Sequence, residues 1–347
     1  MSLVPWTVVT GSGVLRVPHP APAAHGGLHH GHRLRSPPGV AAGSSRGSVG
    51  MEGRVSGEAA CAGTPPAGRL PVVFLHGLRT SRSMWRAQVA AVEASGHQAV
   101  AIDLPGHGRR REEQLTLDGA VDAVRAAVDA VGGRALVVGL SLGGYVAIVH
   151  AARFPAQVAG LVAASCCTRP HPPLVDAWAV AAHAIGCLPD HGAALNALAV
   201  RVALPPAGAA DVGAGGFALD VMVPALRALR GVDVLAALRS VQAPVWLVNG
   251  RFDHFRGEER AFLAACREGR LVVVPGATHL VSLVRPTRFS RAVLEALAAV
   301  EDRAAQAPSD QARTPPTMPA SLGTTTTSSP SRSSTAGVMR RALPPPR

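Results

Sequence analysis

The stretch Gly139-Leu140-Ser141-Leu142-Gly143-Gly144 constrains this chain more than any other. An apolar run, Ala135 to Val138, precedes it and reads as a buried strand. A helical pattern from Tyr145 to Phe154 follows and is closed by Pro155. Strand, Gly-x-Ser-x-Gly and helix together form a context in which a serine sits in a strained turn and its hydroxyl projects from the sheet. Small residues are needed on either side because such a turn brings two backbones close together. The N-terminus of the following helix favours negative charge developing nearby. Gly and Ser are common in any loop, so the meaning of the motif depends on what the rest of the chain supplies.

The rest of the chain supplies alternating strands and helices. Leu70 to Leu75 is an apolar run ending in His76-Gly77 and reads as a central strand. Ser83 to Ala94 reads as a helix with Met84, Ala87, Val89 and Val92 as core candidates. Gln98 to Ile102 is a second strand that runs into the turn-rich loop Asp103-Leu104-Pro105-Gly106-His107-Gly108. Arg109 to Gln114 is highly charged and expected to be exposed. Leu115 to Val131 is helical, with Leu117, Val121, Val124 and Val128 on one side. After the serine turn come a strand at Val158 to Ala164 and then about seventy Ala- and Leu-rich residues, Thr168 to Leu238, with helical spacing and no strand. Strand character returns at Ala243 to Val248, ending in Asn249-Gly250-Arg251-Phe252-Asp253, and at Leu271 to Val274, followed by Pro275-Gly276-Ala277-Thr278-His279. A helix is expected at Gly257 to Glu268 between these strands, and another at Pro286 to Val300 closes the pattern. Such alternation implies an α/β fold, a mostly parallel sheet covered on both faces. The domain is expected to span residues 70–302. Residues 1–69 are rich in Pro, Gly and His and residues 303–347 in Ser, Thr and Pro, so both are expected to be disordered tails.

A net charge of +12 invites a nucleic-acid reading, but the charge is in the wrong place. Residues 70–302 hold 22 arginines against 19 acids, so most of the excess falls in the tails, where no aromatics alternate with the arginines. No nucleic-acid partner is expected. The five cysteines are odd in number and scattered, which fits neither a disulfide framework nor zinc spacing. No run of about 18 apolar residues suggests a membrane span. The N-terminus lacks a basic segment followed by an apolar core, and a reducing cytoplasm fits best.

Three groups fall at the ends of three separate strands: Ser141, Asp253 and His279. Sites form at the carboxyl ends of parallel strands. A serine is a poor nucleophile until a base removes its proton; a neutral histidine can do so near pH 7, and a carboxylate can orient it. Other polar residues have simpler readings. His76, His107 and Asp103 are expected to tie down loops, His254 to point away from the site, and Glu258 and Glu259 to complement a helix dipole. His150, His183 and His191 read as ordinary helix or cap residues, and the tail histidines as solvated.

At this point the chain resembles the α/β-hydrolase superfamily, in particular its serine-nucleophile, capped, esterase- and lactonase-like members. The matching pieces are His76-Gly77, the Asp103 to Gly108 loop, the serine turn, Asn249 to Asp253 and Gly276 to His279, in the family's order over about residues 70–300. The resemblance implies an eight-stranded, mostly parallel sheet with a helical cap after the sixth strand, where residues 168–238 lie. It also implies an oxyanion hole made by the backbone N–H groups of Leu78 and Leu142. The implied reaction is hydrolysis of a small or medium apolar ester, lactone or thioester, with Trp178 among the substrate-contacting cap residues and no metal or cofactor. Alternatives are acyl transfer or C–C bond hydrolysis on the same triad, and a ligand-binding protein without catalysis. A serine nucleophile argues against the family's epoxide hydrolases and haloalkane dehalogenases, which use aspartate. Two departures stand out. The strands that usually open the fold are not recognisable before Leu70, although residues 52–62 could supply a short hairpin, and the loop after Asp253 lacks the proline often found there.

Overall fold

The structure, a computed structural model, describes residues 69–311. The expectations for the N-terminal tail, the hairpin near 52–62, Cys61 and the chain beyond 311 lie outside the described residues. Six strands form the sheet: β1 (Val72–Leu75), β2 (Ala99–Ile102), β3 (Ala135–Leu140), β4 (Val158–Ala164), β5 (Val245–Gly250) and β6 (Gly269–Val274). Their order is β2-β1-β3-β4-β5-β6, and every pairing is parallel. The eight strands implied by the resemblance are therefore six among the described residues. β2 forms one edge of the described sheet, and all four of its residues are half-buried.

Parallel strands need long crossovers, and helices supply them. α1 (Arg86–Ala94), α2 (Leu117–Ala130) and α3 (Leu142–Arg153) link the first four strands. Between β4 and β5 run α4 (Pro172–Gly186), α5 (Ala193–Ala203), α6 (Pro206–Gly213), α7 (Met222–Leu229) and α8 (Val234–Ser240). α9 (Glu259–Ala265) joins β5 to β6, and α10 (Val281–Val284) and α11 (Pro286–Gln311) follow.

The sheet buries both faces, so β1, β3, β4 and β5 read as continuous apolar runs. In β1 alternate residues serve opposite layers. Val73 and Leu75 pack toward α2, α3, α8 and α9, whereas Val72 and Phe74 pack toward α1 and α11. α2 starts at Thr116, whose Oγ1 accepts the Gly119 N–H, and presents Ala120, Val121, Val124 and Val128 as one buried stripe. On the other face Trp85 stands between Phe74 and Phe289, at ring-centroid distances of 5.1 and 5.7 Å, and ties the start of α1 to α11.

Three local differences from expectation have physical causes. The first helix opens as a tighter 3-10 turn, Arg82–Trp85, which rotates the buried face of α1. Gln88 is therefore buried, its amide donating to the Ser282 carbonyl, while Ala87 is exposed. α11 runs past Val300 to Gln311, and Glu301 anchors it by accepting from the Leu70 N–H and meeting His97 at 3.2 Å. The inserted segment is helical as expected, but its last helix differs from the others. Val234 and Leu238 of α8 lie in the core beside α3, so α8 belongs to the layer beneath the sheet.

Candidate active site

The sharp turn between β3 and α3 carries Ser141 at φ 55° and ψ −115°. A left-handed φ on a non-glycine residue costs on the order of 1–3 kcal/mol and persists only where the surroundings enforce it. Here they do. The Ser141 N–H donates to the Ala164 carbonyl at 2.8 Å, and the Ser141 carbonyl accepts from the Tyr145 N–H. Glycines flank the turn because the backbone leaves no space for side chains. A Cβ on Gly139 would stand 2.2 Å from the Gly143 carbonyl oxygen, and one on Gly143 would stand 2.3 Å from the Leu75 carbonyl oxygen.

Asp253 leaves β5 and caps a 3-10 turn, His254–Arg256, by accepting the Phe255 N–H on Oδ1 at 2.9 Å. That bond holds the carboxylate in a loop without the usual proline. His279 follows β6. Its carbonyl accepts the Ser165 hydroxyl at 2.8 Å, and the Ser165 N–H in turn donates to the Asn249 side chain at 3.0 Å. The three strand ends thus meet. His279 Nδ1 lies 2.9 Å from Asp253 Oδ1, and His279 Nε2 lies 3.0 Å from Ser141 Oγ. An ionised carboxylate can only accept, so Nδ1 carries the proton and Nε2 presents its lone pair to the serine hydroxyl. Burial pushes the Asp253 carboxyl up, but the His279 hydrogen bond and charge together with the Phe255 N–H outweigh it and leave the pKa below the usual carboxylate value.

Glu258 and Glu259 are engaged elsewhere. Glu258 grips the backbone N–H and guanidinium of Arg169 at 2.5 and 2.6 Å, and Glu259 accepts from Asn249 and Arg256. A helix dipole alone therefore does not account for either residue.

The loop after β1 lies against the serine: a Cβ on Gly77 would stand 3.7 Å from that of Ser141. Leu78 sits in this loop, and Leu142 opens α3, where N–H groups have no intrahelical acceptor. Two buried histidines hold the loop. His76 Nε2 accepts the Leu104 N–H at 3.0 Å, and His107 Nε2 accepts the Arg79 N–H at 3.2 Å. Each ring spends its Nδ1 proton on a backbone carbonyl, Gly77 and Pro105 respectively. Both are thus held neutral; burial, then the neighbouring His107, pulls His76 down to about 3, and burial also lowers His107. Asp103 completes the clasp by accepting from the Arg82 and Arg109 N–H groups.

Trp178, on α4, reaches His279 through a second aromatic ring. Its ring packs on Phe255 at 5.1 Å, and Phe255 packs on the His279 imidazole at 4.9 Å. His254 does not point away as expected. Its ring lies 4.8 Å from that of His279, and its Nδ1 is 3.9 Å from Asp253 Oδ1. Asp253, His254 and His279 each offer one ligand atom within 4.8 Å of the others, so this donor set could hold a metal ion. His279 already spends its two nitrogens on Asp253 and Ser141. Phe255 and Ser165 carry no signal in the sequence, because only their contacts give them a part. For Asn249, its place at the carboxyl end of β5 is the one available hint.

The family model described as "Alpha/beta hydrolase family" matches residues 72–292. A probable esterase of Oryza sativa subsp. indica, PIR7A, is 39% identical over 102 residues, 27% of this chain and 38% of the rice protein. Epoxide hydrolase B of Mycobacterium tuberculosis is 37% identical over 112 residues, 30% of this chain and 32% of that protein. The matched stretch thus spans about a third of the length of these relatives. Among solved structures, the enol-lactonase from Burkholderia xenovorans LB400 superposes with a TM-score of 0.58 at 22% identity, covering 68% of this chain and 94% of that one. A thermophilic esterase from Thermogutta terrifontis gives 0.57 at 24% identity, covering 67% and 90%. At these identities the likeness is one of fold. Among the described residues no helix is long and apolar enough to cross a membrane.

Proposed function

Because the chain belongs to the α/β-hydrolase family, we propose that it is a serine hydrolase, cleaving a small or medium apolar ester, lactone or thioester through an acyl-enzyme. The observation that carries this reading is the unbroken hydrogen-bonded line from Ser141 Oγ through both nitrogens of His279 to Asp253. In the reaction, His279 Nε2 takes the proton as Ser141 Oγ attacks the substrate carbonyl carbon. Asp253 keeps the imidazole in the required tautomer and stabilises the imidazolium. The N–H groups of Leu78 and Leu142 receive the oxyanion, and losing one such donor costs roughly 10²–10³ in rate in comparable enzymes. His279 then returns the proton to the leaving group. In the second half it activates water against the acyl carbonyl, and Ser141 recovers its proton as the acid departs.

Apolar substrates are favoured because Trp178 and Phe255 wall the approach to His279 with aromatic surface. The relative named epoxide hydrolase does not shift the reading, because a serine and not an aspartate occupies the turn. The cytoplasm remains the compartment we propose, on the strength of four free thiols, two of them buried, among the described residues.

The test is covalent labelling. A fluorophosphonate should modify Ser141, identified by peptide mass, and p-nitrophenyl esters of graded chain length should be turned over. Ser141→Ala should abolish both while keeping the melting temperature. Label on another residue, or turnover by the alanine variant, would sink the proposal.

A further inference from the structure

We infer that Phe255 is a positioning and specificity-determining residue, the contact through which the placement of the cap helices reaches the His279 imidazole. The inference rests on the serine-hydrolase reading and deepens it. Phe255 makes three contacts that no other described residue combines. Its backbone N–H holds Asp253 Oδ1 at 2.9 Å. Its ring lies against His279, with centroids 4.9 Å apart and planes tilted by 35°. The same ring meets Trp178 of α4 at 5.1 Å. Phe255 is half-buried, so part of the ring remains open for a substrate group next to the reacting atoms.

The segment that carries it is fastened to the start of the cap at its other end. The Glu258 N–H donates to the Cys167 carbonyl at 2.9 Å, and the Glu258 carboxylate grips Arg169 through backbone and guanidinium. Tyr145, in the first turn of α3, donates its hydroxyl to the Thr168 carbonyl at 2.6 Å, adding a tie from the serine's own helix. The four residues from Phe255 to Glu258 are therefore coupled to the insertion twice and to the imidazole once. A displacement of α4 moves Trp178, Trp178 bears on Phe255, and Phe255 bears on the ring that must stay aligned with Ser141. Misalignment of a base by about 1 Å can cost about 10²-fold in rate. A substrate whose apolar part fits between Trp178 and Phe255 keeps this stack in register, whereas a group too short to touch Trp178 leaves it unsupported.

The experiment compares the full chain with Phe255→Leu, Phe255→Tyr, Trp178→Ala and the Trp178→Ala/Phe255→Leu double variant. The readouts are melting temperature, kcat and KM on p-nitrophenyl acetate and hexanoate, and the second-order rate of Ser141 labelling by diisopropyl fluorophosphate. That reagent is too small to span the cap, so its rate reports activation of the serine. Phe255→Leu should slow labelling about tenfold and lower kcat on both esters, with acetate KM within twofold. Phe255→Tyr should restore the labelling rate. Trp178→Ala should slow labelling about threefold in the parent and no further in the Phe255→Leu background, and it should erase the preference for hexanoate. A purely structural role would move melting temperatures and leave the two effects on labelling additive. If Phe255→Leu fails to fold, Trp178→Ala decides: an unchanged labelling rate overturns the inference. If the parent labels and every variant labels at its rate, the inference falls alone. A parent that does not label overturns the serine reading and this inference with it.

Discussion

Ser141 is paid for by its neighbours, and the strongest constraint at the residue scale is theirs. With backbone oxygens standing 2.2 and 2.3 Å from where Cβ atoms would sit at Gly139 and Gly143, a methyl group cannot be absorbed by a side-chain rotation. Gly143→Ala should therefore destabilise the fold by more than about 3 kcal/mol, the upper end of overpacking costs. An unfolding free energy from denaturant titration within about 1 kcal/mol of the parent's would show that the turn relaxes more easily than its packing implies. The acid is the second residue-scale matter. Asp253→Asn keeps the shape of the side chain but favours the wrong imidazole tautomer, and an equivalent change in a well-studied protease costs roughly 10⁴ in rate. Glu259→Gln should leave kcat within a few-fold, because Glu259 bonds Asn249 and Arg256 and not the imidazole. Glu258→Gln should act on chain-length preference more than on the best rate, since Glu258 secures Arg169. A mild loss at Asp253 with a severe one at Glu258 or Glu259 would move the acid. Ser141, Asp253 and His279 were legible because each ends a recognisable strand. The direction of His254 was not legible, because sequence does not give the direction of a side chain in a 3-10 turn.

At the scale of elements, the loop after β1, which lies against the serine, is joined to the loop after β2 by neutral histidines, which makes the join sensitive to acid. An unfolded chain binds a proton on His76 below about 6.5, whereas the folded chain does so only near 3, through burial and the neighbouring His107. Between these values the unfolded state holds more protons, so stability falls as pH falls. This one group accounts for a slope of about 1.4 kcal/mol per pH unit across that window. Protonation would also break the bond His76 Nε2 accepts from the Leu104 N–H. His76→Asn, with a side-chain oxygen in place of the ring, should be less stable at pH 8 yet lose less stability between pH 6.5 and 4. Urea titrations at the two pH values measure this, and equal slopes for parent and variant would show that His76 does not carry the acid sensitivity. The strand and helix positions themselves were legible, because a run buried on both faces has to be apolar. The rotation of α1 was not, since the 3-10 turn that shifts its face depends on Trp85 finding its place between Phe74 and Phe289.

On the scale of the whole molecule, β2 forms one edge of the described sheet and stays half-buried. We expect a chain trimmed to residues 52–311 to keep the oligomeric state and activity of the full chain, and one trimmed to 69–311 to aggregate through that edge. Size-exclusion chromatography and ester turnover distinguish the two; an active 69–311 chain that elutes in the parent's oligomeric state would show that no opening strands are needed. The sequence by itself determined the α/β class, the parallel sheet, the helical character of the insertion and the three strand ends where polar groups gather. These are local consequences of periodicity, turn chemistry and the steric demand of the serine turn. Only the tertiary structure decided that His254 and Phe255 pack on the His279 imidazole, that Trp178 bears on Phe255, and that α8 joins the main layer. Those outcomes depend on contacts between residues far apart in the chain, such as Phe255 with His279 and Trp178 with Phe255. Such contacts are settled by packing and burial, which a linear pattern does not encode.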